Sequence, residues 1–255
     1  MAVLAGLSVK GRAPQTDYDR DQFGQAWLDT NRNGCDTRSD ILVRDLTSLR
    51  VTAGTNGCRV EAGTLADPYT DTTIHYVRGN DTVDIDHVVA LSNAWQTGAF
   101  GWDIRKRAAF ANDPMNLLAV DASANRQKGD GDTATWLPAN KSYRCAYTAR
   151  QVSVKAKYQL WVTRPERDTM ARILTACPRQ PARTGGTPTI AAVAVNRPHR
   201  ATTPSPTGGP ASSTSSSVYY KSCDAVRAAG ADPVHDGDPG YDSHLDRDGD
   251  GAGCE

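Results

Sequence analysis

Phenylalanine and methionine are scarce, three of each in 255 residues, so any core is lean in large, adaptable fillers. Net charge is also missing, with 29 basic residues balancing 29 acidic ones. A neutral total argues against very tight binding to a polyanion, although the local field matters more than the sum. No stretch approaches the roughly 18 consecutive apolar residues of a membrane span. No C-x-x-C pair is present, which removes the usual half-site of a structural zinc. The opening "MAVLAGLSVKGRAPQT" has a short apolar run with no positive residue before it, so it does not read as a signal peptide. The expectation is that the chain starts after a lost leader. No internal repeat is visible.

What is present is a hydrophobic fraction of 38% and a charged fraction of 23%, enough for one packed domain plus something smaller. The charges are unevenly spread. Residues 1–178 hold 22 basic against 20 acidic side chains, residues 179–217 four arginines and no acid, and residues 218–255 three basic against nine acidic. Six widely spaced cysteines without a zinc pattern favour disulfides over buried free thiols, and hence an oxidising, extracellular setting. Six cysteines allow 15 connectivities. If a linker isolates the last two, three connectivities remain, and the expected set is Cys35–Cys58, Cys145–Cys177 and Cys223–Cys254.

The linker is residues 179–217, rich in Pro, Thr, Ser and Gly, which bury too little surface to offset their ordering entropy. It is expected to be a flexible tether between a domain at 17–178 and a small one at 218–255. Residues 1–16 have no defined role. Within the first domain, "DRDQFGQAWLD" predicts an amphipathic helix, followed by Asn/Gly-rich turns. "CRVEAG", "TIHYVRG" and "VDIDHVVAL" predict short strands, and "NLLAV" at 116–120 another. "NAWQTGAFGWDIRKRAAFAND" is mostly helical, as is 142–177, with Pro165 forcing one break. This order predicts an α+β domain.

"VDIDHVVAL" places two aspartates and a histidine in a strand, where burial is costly unless something pairs with them. Strand period puts Asp84 and Asp86 on one face and His87 on the other, so a shared site requires the strand to end or bulge at His87. Downstream, "NLLAVDASANRQKGD" supplies Asn116, Asn125, Arg126 and Lys128. Together these motifs, densest over 83–132, resemble the HNH endonucleases of secreted bacterial proteins, whose ββα-metal core is a β-hairpin and helix around one metal ion. The resemblance implies Asp86 and Asn125 as metal ligands and His87 as the general base. It implies Asn116 as a brace for the loop and ring of His87, and Arg126 and Lys128 as phosphate contacts. Asp84 is a rival ligand on the face of Asp86. Carboxylate, amide and water ligands suit Mg²⁺ or Mn²⁺. An imidazole titrating near neutrality suits a base that activates water. Unlike many HNH proteins the chain lacks the paired C-x-x-C of a structural zinc, and disulfides are expected to stabilise it instead.

The chain ends "LDRDGDGAGCE", in which Asp246, Asp248, Asp250 and Gly251 match the first, third, fifth and sixth positions of a calcium loop. Glu255 falls at the tenth position, not the twelfth. With "YYKSCDAVRAAGADP" and "GDPGY" ahead of it, the segment resembles the Excalibur domain, a small extracellular Ca²⁺-binding module. The resemblance implies Asp246, Asp248, Asp250 and Glu255 as ligands.

The expected function is a secreted, metal-dependent endonuclease acting on DNA or RNA. No helix-turn-helix or zinc finger is visible, so little sequence specificity is expected. The alternative is a non-enzymatic, calcium-dependent protein of the cell envelope with a degenerate HNH core. A toxin with an immunity partner is a third option.

Overall fold

The computed structural model describes residues 1–183, 220, 222–231, 234–235, 238, 240–242, 245 and 252–254. It divides into two compact units, 1–200 and 201–255, and most of the expected tether lies outside the described residues.

The first unit opens with a single helical turn, α1 (Ala2–Ala5), and is better integrated than its sequence implied. Leu4 and Leu7 pack on Val152, Val162 and Met170, and Val9 forms a parallel bridge with Val162. The helix expected across residues 19–29 is reduced to one 3-10 turn, Arg20–Phe23. Asp19 caps that turn and Gly24, at φ +80°, stops it, while Phe23 is still buried in the core.

The Asn/Gly-rich turn is shaped by its own side chains. Asp29 accepts the N–H groups of Asn33 and Gly34, Asn31 that of Asn33, and Asn33 that of Cys35. The amides of Asn31 and Asn33 both donate to Asp40. Asp29, Asn31, Asn33, Gly34 and Asp40 thus have calcium-loop spacing with Asp for the final Glu; hydrogen bonds inside the loop account for its shape.

Helix α2 (Thr37–Asp45), capped by Asp36, buries Ile41 and Leu42. An antiparallel meander follows, β1 (Thr47–Val51), β2 (Val60–Ala66) and β3 (Thr73–Val77). A Cβ at Gly63 would lie 2.7 Å from Leu46 Cδ2, so glycine there lets Leu46 close onto the sheet.

A separate two-stranded sheet pairs β4 (Val83–His87) with β5 (Leu117–Asp121), in unbroken antiparallel register from Val83 opposite Asp121 to His87 opposite Leu117. Between these strands lie α3 (Leu91–Gln96) and α4 (Ile104–Ala111). Helix α5 (Ala122–Lys128) starts as β5 ends, because Asp121 accepts the Ala124 N–H and caps it. The order is therefore strand, strand, helix.

Two helices close the unit, α6 (Arg144–Tyr158) and α7 (Arg164–Thr175). Pro165 does not break them. Gln159, at φ 60°, ends α6, and the proline sits in the first turn of α7, where no intrahelical N–H is required. Cys35–Cys58 and Cys145–Cys177 cross-link the unit.

The second unit holds α8 (Cys223–Ala228), capped by Ser222, and a short antiparallel pair, β6 (Val234–His235) and β7 (Ala252–Gly253). Val226, Val234, Leu245 and Cys254 form its small core, closed by Cys223–Cys254. Asp246, Asp248, Asp250 and Glu255 lie outside the described residues. The whole is a mixed α+β protein held by disulfides.

Candidate active site

Regular pairing sends the side chains of β4 alternately to two faces. Val83 and Ile85 enter the apolar cluster with Leu117 and Ala119. Asp86 lies on the opposite face, among the aromatic rings around Tyr69.

Asp86 is buried, at 4% exposure. One carboxylate oxygen accepts the Tyr69 hydroxyl at 2.5 Å, and the other accepts Lys128 Nζ at 2.8 Å. Lys128, from the last turn of α5, also donates to the backbone oxygen of His87 at 2.9 Å. Its side chain is sealed from solvent. The expectation that Lys128 contacts substrate phosphate is therefore corrected here: its ammonium neutralises Asp86 inside the fold. Each Asp86 oxygen thus already accepts one hydrogen bond, and Lys128 supplies the positive charge that a metal would otherwise provide. Burial, reinforced by the negative charge of Asp86, raises the pKa of Tyr69 well above the ordinary range and keeps it a donor.

Asp84, two residues earlier on the same face, is only half-buried and meets α5 directly. Asn125 Nδ2 donates to Asp84 Oδ2 at 2.9 Å. Arg126 is exposed and pairs with Asp81 at 2.6 Å.

His87 ends β4 with its ring on the face opposite Asp86. Its Nε2 lies 2.8 Å from the Ala111 carbonyl, and its ring is stacked on Trp27, 7° from parallel. With Nε2–H donating to that carbonyl, Nδ1 holds the free lone pair. Burial first, then the Arg20 guanidinium, lower its pKa to about 3, so the imidazole is neutral at physiological pH. Asn116 does not touch the ring. Its Oδ1 accepts the Val89 N–H at 2.8 Å and its Nδ2 donates to the Val89 carbonyl at 3.2 Å. It clamps the two residues after His87 while Ala111 and Trp27 hold the ring.

Trp27, Tyr69, Arg20 and the Ala111 carbonyl were not singled out in the sequence. All come from elsewhere in the chain, so no local spacing signals them. Among the described residues no three His, Cys, Asp or Glu side chains gather as a metal cage. A hydrated Mg²⁺ or Mn²⁺ needs only one or two carboxylates. Asp84 with the Asn125 amide, its oxygen turned inward, fits that requirement, because the oxygen and nitrogen of an amide exchange by a flip. Asp86 fits less readily, because Lys128 already neutralises its charge.

Residues 36–173 match the family model described as "GmrSD restriction endonucleases, C-terminal domain", and residues 220–255 match the Excalibur calcium-binding domain. The chain is also similar to an "Uncharacterized secreted protein" of Arthroderma benhamiae, 39% identical over 178 residues that cover 69% of this chain and 83% of the relative. No solved structure matches. With three disulfides and a secreted relative, the protein is extracellular. The match over 36–173 takes in β4, β5 and α5 together, and by it the chain belongs to the family of the GmrSD restriction endonuclease C-terminal domain.

Proposed function

We propose that the first unit is a metal-dependent endonuclease that hydrolyses phosphodiester bonds with little sequence specificity, and that the second binds calcium. The family match across the hairpin and α5 carries this reading. The order β4, β5, α5 with His87 at the strand end agrees with a ββα-metal core of the HNH kind.

His87 is the proposed base. Ala111 fixes Nε2 as donor and leaves the Nδ1 lone pair to act on water, and because the ring lies on the face of β4 opposite Asp84 and Asn125, it must swing past the strand end to share their site. Asn116 and Trp27 position it without taking part. The metal would be held by Asn125 and a carboxylate of β4. Asp84 is the better placed, because Asp86 already carries Lys128. A divalent ion there supplies Lewis acidity against the charge growing on phosphate and leaving oxygen. Arg126, exposed beside Asn125, is within reach of the substrate backbone once it releases Asp81. In the second unit the Excalibur match supports Asp246, Asp248, Asp250 and Glu255 as calcium ligands.

The test is cleavage of plasmid and of RNA by the oxidised protein in Mg²⁺, Mn²⁺ or EDTA, with His87→Ala beside it. Metal-dependent cleavage is expected to fall about 10²- to 10⁴-fold in the variant. Intact substrate with every metal would overturn the nuclease reading.

A further inference from the structure

An open cavity of about 750 Å³ runs along the outer edge of β5, the edge turned away from β4. Its walls include Arg44, Arg150, Arg183, Tyr143, Asp45 and Asp113. Arg44, from the last turn of α2, donates to the Pro114 and Leu117 carbonyls, each at 2.8 Å. Arg150, from α6, donates to the same two oxygens at 3.0 and 2.7 Å, and to Met115 O at 2.6 Å. Two guanidiniums thus converge on one pair of acceptors. Arg183 borders the same space and has no carboxylate partner among the described residues; its backbone N–H donates to Ser153 Oγ.

Little negative charge answers this. Asp45 is taken by Arg44 and by the Ala119 N–H, and Asp113 by Lys157 and the Tyr158 hydroxyl. Counting Lys157, four cations meet two carboxylates. Burial and then the nearby Arg183 and Arg44 press the pKa of Arg150 downward, with Tyr143 opposing them. Gathering like charges where water is partly excluded is unfavourable unless an anion joins them. Forked guanidinium donors match phosphate oxygens better than they match most anions.

We propose that this groove is a phosphate site that holds the backbone of bound nucleic acid beside the hairpin. The inference rests on the nuclease reading for its choice of ligand. Its position favours a polymer over a free ion. The groove is open, and its wall includes the strand whose Leu117 pairs with His87. With strands about 4.8 Å apart and the guanidiniums bonded to the Leu117 carbonyl on the outer edge, a phosphate on them lies within roughly 15 Å of the His87 backbone. A substrate strand crossing the hairpin would therefore lie near both. Arg44 and Arg150 also tie down the β5 edge, which would explain them without a ligand. Arg183 makes no such bond to β5, so it separates the two explanations.

The experiment uses the full oxidised chain with His87→Ala to suppress cleavage. Anisotropy of fluorescent duplex DNA and single-stranded RNA is followed from low to high salt. Arg183→Gln is expected to weaken binding about threefold to tenfold and to lower the salt slope by about 0.9 on duplex DNA and about 0.7 on single-stranded RNA, the effect of one lost phosphate contact. Arg183→Glu should weaken it further, whereas Arg172→Gln, an equal charge loss on the exposed face of α7, should match the parent. Unchanged affinity and slope in both Arg183 variants would overturn the proposal. So would inorganic phosphate binding that Arg183→Gln abolishes while polymer binding stays constant, because the ligand would then be the free ion. Polymer binding that depends on Arg183 in a protein that cleaves nothing would keep the groove and discard the nuclease.

Discussion

His87 sits where burial and the Arg20 charge both disfavour its protonated form, with a pKa near 3. An unfolded histidine takes up its proton near pH 6.5. The unfolded chain therefore binds more protons between those values, and the fold loses stability as pH falls from about 6.5 toward 3. The loss approaches about 1.4 kcal/mol per pH unit for this one group. Urea unfolding in EDTA at pH 7, 5.5 and 4 should show it, and His87→Gln should flatten that slope. An identical slope in the variant would mean that another group sets the acid sensitivity. Lys128 poses the converse problem. Lys128→Met leaves Asp86 buried with no counter-ion and is expected to cost about 3–5 kcal/mol. Adding Asp86→Asn removes the stranded charge, and thermal melting should recover part of that loss; no recovery would assign the damage to packing. Asp86 and His87 were legible because they interrupt an apolar strand and are followed at fixed distance by Asn116 and Asn125. Their surroundings were not. Trp27 and the Ala111 carbonyl reach His87 through tertiary folding, and nothing near residue 87 encodes them.

The strands and helices divide along similar lines. The hairpin and the closing helices follow from period and capping that can be read in place, such as Thr163 with Glu166 at the start of α7, whereas α5 forms in a polar stretch where no helical period shows, started by the Asp121 cap. The expected helix at 19–29 failed because Gly24 leaves helical space and the chain there packs over Trp95 and Phe110 through Tyr18 and Phe23. The loop after β4 offers a direct test of how one side chain holds an element. Asn116 is fully buried and satisfies both backbone groups of Val89. Asn116→Ala leaves a buried donor and a buried acceptor without partners, at about 1–3 kcal/mol each. Asn116→Asp keeps the acceptor but sets a carboxylate against the Val89 carbonyl. Both variants should melt earlier than the parent. If Asn116→Ala melts like wild type, water replaces the amide and the clamp is not what holds the loop.

The two units have separate cores and separate disulfides, and the residues between them are poor in apolar side chains. All five tryptophans, at 27, 95, 102, 136 and 161, belong to the first unit. Tryptophan fluorescence therefore reports that unit alone, and the amide resonances of 220–255 report the other. If calcium binds the Excalibur module, mass action stabilises whichever unit holds the ion by RT ln(1 + [Ca²⁺]/Kd), about 2.7 kcal/mol at one hundred times Kd. Calcium should then raise the melting of the 220–255 resonances, and Asp248→Asn should diminish the shift. The tryptophan transition tests a different point. If it moves with calcium in the wild type and stays still in Asp248→Asn, the units are energetically coupled. If it moves equally in both, calcium is held within the first unit, where Asp29, Asn31, Asn33 and Asp40 have the required spacing. A module whose resonances ignore calcium altogether would break the link between its family and its chemistry, and leave Cys223–Cys254 as the main support of so small a core.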